Sequence, residues 1–120
     1  MTLNSFGQAP NTSEVVIFEH PAPELDTIKT IRIYLPASYK NSEETYPVIY
    51  MHDAQNLFDK ETAFAGEWEV DESLDTSERQ VIIVGIDHGE AKRIDELTPF
   101  PNEKYGGGNG DAYLKYIANN

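Results

Sequence analysis

The 120-residue chain contains no cysteine, so disulfides, thiolate metal sites and a cysteine nucleophile are all excluded. Basic residues are scarce. Nine Lys and Arg stand against twenty-one Asp and Glu, a formal net charge of -12. Such a chain is a poor partner for a phosphate backbone or an anionic membrane surface, so neither nucleic acid nor membrane is expected. No apolar run approaches the length that crosses a bilayer. Met1–Pro10 has neither a basic start nor an apolar stretch, so no secretory signal is visible and a soluble, cytoplasmic protein is expected. Asn11-Thr12-Ser13 fits the N-glycosylation pattern but carries no weight without secretion. There is no H-E-x-x-H, EF-hand loop, zinc-knuckle spacing or G-x-S-x-G, and no serine sits on a Gly-flanked strand-to-helix turn.

What is present is ordinary for a globular domain: 39% hydrophobic and 25% charged residues. The length allows one domain, residues 1–120, or part of one. Residues 1–12, with Gly7 and Pro10, read as a loose lead-in. Val15–Phe18 is a strand candidate, interrupted by the prolines of His20–Pro23. Ile28–Leu35 alternates Ile31, Ile33 and Leu35 with Arg32 and Tyr34, the period of a half-buried strand. The two read as a hairpin.

The pattern then changes. Val48–Met51 and Val81–Ile86 are continuously apolar, as expected of strands covered on both faces. Between them, Glu67–Arg79 has helical spacing, with Trp68 expected in the core and acidic residues in the first turn. Asp87–Gly110 reads as a long loop and Asp111–Ala118 as a final helix. Asp111 is its N-cap, and Tyr113, Leu114 and Ile117 form its apolar side. A hairpin leading into a β-α-β unit makes a mixed, mostly parallel α/β sheet flanked by helices.

Ligands of open α/β sheets bind beyond the carboxyl ends of the parallel strands. Those ends deliver His52, Asp53, Ala54, Gln55 and Asn56 from one strand, and Asp87, His88 and Gly89 from the other. Two readings follow. The His-Asp and Asp-His pairs could ligate a metal, or they could cap strand ends and tie down loops. Arg93 and Glu96, one turn apart, form a local ion pair or line a site at this edge. Gly106–Gly110 fails as a phosphate loop: Asp111 stands where a third glycine belongs, no strand precedes it and no Lys follows. It also fails the glycine-rich calcium repeat, with Ala112 in place of Asp, and reads as a flexible connection.

Several blocks taken in order resemble a known family. They are Ile31–Pro36 (IRIYLP), Tyr46–Asp59 (YPVIYMHDAQNLFD), Glu67–Asp71 (EWEVD), Ile83–Asp87 (IVGID), and Arg93–Glu96 with Thr98-Pro99. Gly107-Gly108, Gly110-Asp111 and Tyr113 complete the set. The block Tyr50–Asp59 is the most specific. This arrangement resembles the serine esterase family of the α/β-hydrolase superfamily, with enterochelin esterases and esterase D-like enzymes among its members. The resemblance covers nearly the whole chain from Ile31 onward.

The resemblance implies acyl transfer from a small-molecule ester to water, without a cofactor. It assigns one oxyanion-hole donor to the backbone N–H of Gln55, with Asp53, Ala54, Asn56 and Arg93 beside the substrate. Many relatives have glycine where this chain has Ala54. Serine, acid and His of the triad come after the last helix seen here, so this chain is expected to be the N-terminal half of the domain, inactive by itself. It gives His52, Asp53, Asp87 and His88 no triad role. The strand Val48–Met51 would pair on its far side with the nucleophile-bearing strand, which leaves an open apolar edge and predicts self-association. A metal-dependent hydrolase built on the strand-end His and Asp residues, and a non-catalytic hydrolase-like fragment, are the alternatives.

Overall fold

The computed structural model describes residues 12–120. The lead-in expected over residues 1–12 and the Asn11 motif therefore fall almost wholly outside the described residues. Four strands form one sheet in the order β1-β2-β4-β3: β1 Glu14–Ala22, β2 Thr27–Leu35, β3 Val48–His52 and β4 Ile82–Ile86. β1 pairs antiparallel with β2, and β2 with β4, while β3 and β4 run parallel. Among the described residues there are three short α-helices, α1 Val70–Asp75 between β3 and β4, and α2 Arg93–Leu97 and α3 Gly110–Asn119 after β4. This is the mixed α/β sheet that the alternation of patterns predicts. Among the described residues no helix is long and apolar enough to cross a membrane.

The hairpin is longer than expected. β1 does not break at His20 but runs through Pro21 to Ala22, paired from Glu14↔Leu35 to Ala22↔Thr27. β1 is the outer strand, where a proline need not remove a ladder hydrogen bond. The break comes at Pro23, which opens a 3-10 turn, Pro23–Leu25, closed by Asp26 in the left-handed region at φ 51°.

Register divides the sheet into two faces. Ile31 opposite Ile86 and Ile33 opposite Val84 face α3, whose Tyr113 and Tyr116 close the main core with Ala22 and Leu25. The other face carries Arg32, Tyr34, Ile83 and Gly85, covered by Ala54 and Leu57 from the loop after β3. Arg32 and Tyr34 are thus buried, although their alternation with isoleucine marked them as solvent-facing. Both faces of β2 are covered, and Arg32 is accommodated by a buried partner, Asp87.

Other expectations are corrected. β3 is not covered on both faces: it is the outer strand, with Val48, Ile49 and Tyr50 each about half exposed. The helix expected over Glu67–Arg79 shrinks to Val70–Asp75. Glu69 enters it from a left-handed backbone, and the Thr76 hydroxyl bonds back to the carbonyls of Glu72 and Ser73 at its end. Trp68 lies before the helix and is 63% exposed rather than in the core. The long loop contains α2 and a preceding 3-10 turn, Glu90–Lys92. α3 starts one residue early, with Asn109 at the N-cap, and it buries Tyr113 and Tyr116 while Leu114 points outward. The glycine run is a folded turn: Gly107 and Gly108 adopt φ near 104° and 105°, and the Gly108 and Gly110 N–H groups donate to the Thr98 carbonyl.

Candidate active site at the carboxyl edge of strands β3 and β4

β3 ends at His52, and the chain reverses at Asp53 with φ 54° and ψ 47°. A non-glycine residue in this left-handed region is uncommon, though Asp tolerates it better than most, and such conformations gather at functional sites. The turn leads into a single 3-10 turn, Ala54–Asn56, closed by hydrogen bonds from the Asn56 N–H to the Asp53 carbonyl and from the Leu57 N–H to the Ala54 carbonyl. Ala54 keeps a negative φ, so its methyl group brings no backbone strain, and it is fully buried against the sheet.

Gln55 is held by both ends of its side chain. Its Nε2 donates to the His88 carbonyl at 3.0 Å, and its Oε1 accepts the His88 N–H at 3.0 Å. The two strand-end loops are thereby clasped together. The Gln55 carbonyl accepts from the Thr62 hydroxyl at 2.7 Å. Asn56 holds the loop that follows, its Oδ1 accepting the Phe64 N–H at 2.9 Å and its carbonyl the Trp68 N–H at 2.7 Å.

Arg93 reaches back from α2 to Asp53 with two hydrogen bonds, Nε to Oδ1 at 2.9 Å and Nη2 to Oδ2 at 2.7 Å. The Arg93 hydrogen bonds outweigh desolvation and hold the Asp53 carboxyl below its ordinary value. Asp53 is therefore ionised at neutral pH and is no reservoir of protons. Glu96, three residues on, does not pair with Arg93. It forms a buried pair with Lys29, whose Nζ lies 2.9 and 3.0 Å from its two oxygens. The local Arg93–Glu96 pair is replaced by two long-range ones, because the side chains leave α2 toward different strands.

A cleft of about 510 Å³ opens at this edge, lined by Asp53, Gln55, Asn56, Phe64, His88 and Arg93 among others. Asp53, Gln55, Asn56 and Arg93, four of the five residues that the resemblance sets at the substrate, thus share one cleft with His88, while Ala54 is buried and does not line it. The four strand-end residues of the metal reading are otherwise engaged. Asp87 receives Nε and Nη2 of Arg32 at 2.7 and 2.9 Å. Asp53 is paired with Arg93. His52 Nδ1 lies 2.9 Å from the Tyr113 hydroxyl, and His88 Nδ1 accepts the Glu90 N–H at 3.0 Å. Among the described residues the one group of three or more carboxylate or imidazole ligands close enough for an ion is Glu67, Glu69 and Glu72, none of the four.

Sequence reasoning missed the Gln55–His88 clasp and the two buried ion pairs. Their only signal was two basic residues, Lys29 and Arg32, inside a strand otherwise fit for burial.

Comparison with known proteins supplies the remaining context. A family model described as "Putative esterase" matches residues 22–120. Protein YbbA of Bacillus subtilis (strain 168), described as uncharacterized, is 30% identical over 95 residues, which cover 72% of this chain and 35% of that protein. An IroE-like serine hydrolase from Shewanella oneidensis superposes with a TM-score of 0.69 at 24% identity, over 88% of this chain and 35% of that one. The BES protein from Bacillus cereus superposes with a TM-score of 0.66 at 17% identity, over 93% of this chain and 45% of that one. These likenesses establish the α/β fold, and the chain spans little more than a third of the first two.

Proposed function

The chain belongs to this esterase family, and from that premise we propose that it supplies the oxyanion-hole part of a serine carboxylic-ester hydrolase whose Ser-His-acid triad lies beyond residue 120. One observation carries the reading. Gln55 is the second residue of the 3-10 turn that opens at the carboxyl end of β3, and its own N–H is not among the bonds that close that turn. The leading N–H groups of a helical turn have no acceptor within it and serve readily as anion donors.

The chemistry follows from that placement. A serine attacks the ester carbonyl, a His takes its proton, and negative charge grows on the carbonyl oxygen. A fixed N–H aimed at that oxygen stabilises the transition state more than the ground state. Loss of one such donor costs about 3 kcal/mol, or some hundredfold in kcat. The ionised Asp53 and Arg93 form a neutral, hydrogen-bonded wall beside it. Asn56 and Phe64 shape the rest of the cleft for a small-molecule ester. No cofactor is called for.

The test has two stages. Coding sequence downstream of Asn120 should present G-x-S-x-G within about forty residues. The longer product should hydrolyse an activated ester such as p-nitrophenyl acetate and be inactivated by an organophosphate. Replacing the Gln55 amide N–H with an ester oxygen by semisynthesis keeps its side chain and should lower kcat with little change in KM. Undiminished kcat would remove Gln55 from the mechanism.

A further inference from the structure

Helix α2 touches the loop after β3 twice, once directly and once through an intermediary. Arg93 binds Asp53. Glu96, one turn further on, binds the loop that binds Gln55. We propose that Glu96 is a positioning residue for the Gln55 amide, an inference that rests on the oxyanion-hole reading above.

The path is continuous. Glu96 is 3% exposed, and its Oε1 accepts the Gly89 N–H at 2.9 Å. Gly89 can come this close because it has no side chain: a Cβ there would lie 2.8 and 2.9 Å from the two Glu96 oxygens. The residue before it, His88, both donates to and accepts from the Gln55 side chain. Gln55 is itself buried, so its orientation follows that of the His88 backbone. The carboxylate is fixed in turn by Lys29, which contacts both of its oxygens.

The same cation reaches the other end of the loop. Lys29 Nζ stands 5.7 Å from the centre of the Tyr113 ring, and the Tyr113 hydroxyl is 2.9 Å from Nδ1 of His52, the last residue of β3. The Lys29–Glu96 pair therefore brackets Asp53–Gln55 from both sides. Desolvating two charges is expensive, and apolar replacements of buried ion pairs are often no less stable. What an apolar residue cannot supply at position 96 is an acceptor for the Gly89 N–H. The geometry thus gives Glu96 a role in placement over and above any in stability.

Amide hydrogen exchange on the ¹⁵N-labelled 120-residue chain tests this without reference to turnover. The double variant Lys29→Met/Glu96→Gln removes both charges but keeps a carbonyl acceptor at position 96. It should leave exchange of the Gly89 N–H and the Gln55 side-chain amide within about threefold of the parent. Lys29→Met/Glu96→Leu lacks the acceptor and should speed both by about tenfold or more, with Ile33 and Val84 in the central strands unchanged. Gly89→Ala, whose Cβ would meet both Glu96 oxygens, disrupts the same contact from the loop side and should give the same local loss should the leucine variant fail to fold. Unchanged exchange at Gln55 in the leucine and alanine variants would overturn the proposal, as would an equal loss of protection across β2 and β4. Failure of the oxyanion reading would register separately, as unchanged turnover after removal of the Gln55 N–H.

Discussion

Gly85 and Ala54 meet so closely at the end of the β3–β4 pair that a Cβ on residue 85 would lie 2.8 Å from the Ala54 Cβ. The same atom would be 3.1 Å from the Arg32 carbonyl oxygen and 3.3 Å from Leu57 Cδ1. The missing side chain of β4 is the room in which the turn after β3 sits. This also accounts for alanine at position 54: its methyl group occupies space that Gly85 leaves open.

Gly85→Ala is therefore expected to destabilise the chain by about 1–3 kcal/mol through overpacking. Ala54→Gly alone should cost about 1–2 kcal/mol, from backbone entropy and the lost burial of its methyl group. The double variant should recover part of the Gly85→Ala loss, because the clashing methyl is gone. Urea denaturation of the four proteins reads the coupling. Strict additivity would show that the two residues do not share this space.

A second prediction concerns Arg32 and Asp87, whose nearly buried side chains make two hydrogen bonds across β2 and the end of β4. Asp87→Ala leaves a guanidinium without its counter-charge and should cost about 3–5 kcal/mol. Arg32→Met with Asp87→Leu should return to within about 1 kcal/mol of the parent. Chelator should move neither denaturation midpoint. A midpoint that drops on adding EDTA would revive a metal at Asp87.

The sheet and its order of elements were legible because apolar runs and turn residues are local signals. The strand-end residues were legible because the carboxyl edge of a parallel pair collects polar side chains whatever its chemistry. Partner choice was not. Arg93 and Glu96 are one turn apart, so local geometry favours pairing them, yet Asp53 and Lys29 claim them from forty and sixty-seven positions away in sequence. Nothing in a window of ten residues carries that information. Trp68 failed for a different reason. Its spacing fits a helix face, but the helix begins two residues later, so the periodicity had no helix to describe.

Opposite pH dependences are expected from two aspartates. Burial, and then the neighbouring Glu72 carboxylate, push the Asp71 carboxyl up to about 6. Its unfolded value is near 4, so between about pH 4 and 6 the folded state binds more protons and stability falls as pH rises. Acidification from pH 7 to 5 should then stabilise the chain by on the order of 1 kcal/mol, and Asp71→Asn should flatten this response. Asp53 acts in the other direction. Its depressed value means that its contribution is present above about pH 4 and is lost as pH falls further. Thermal melts from pH 3 to 7 on the parent, Asp71→Asn and Asp53→Asn separate the two windows.

The last prediction follows from β3 as the outer strand. One side of β3 pairs with β4, and among the described residues no strand lies on the other. Val48, Ile49 and Tyr50 are each about half exposed there, and a groove of about 180 Å³ lined by Tyr50, Ile33, Val84 and Ile117 adjoins them. An apolar strand with open N–H and C=O groups is a template for another strand. The formal charge of -12 opposes contact between copies at long range, so association should strengthen as salt screens that repulsion. Sedimentation velocity at rising protein concentration, in low and in physiological salt, should show species larger than the monomer, increasing with both variables. Ile49→Lys places a charge on the exposed strand and should shift the distribution toward monomer. A monodisperse monomer with a sharp cooperative melt under all these conditions would show that the edge is protected.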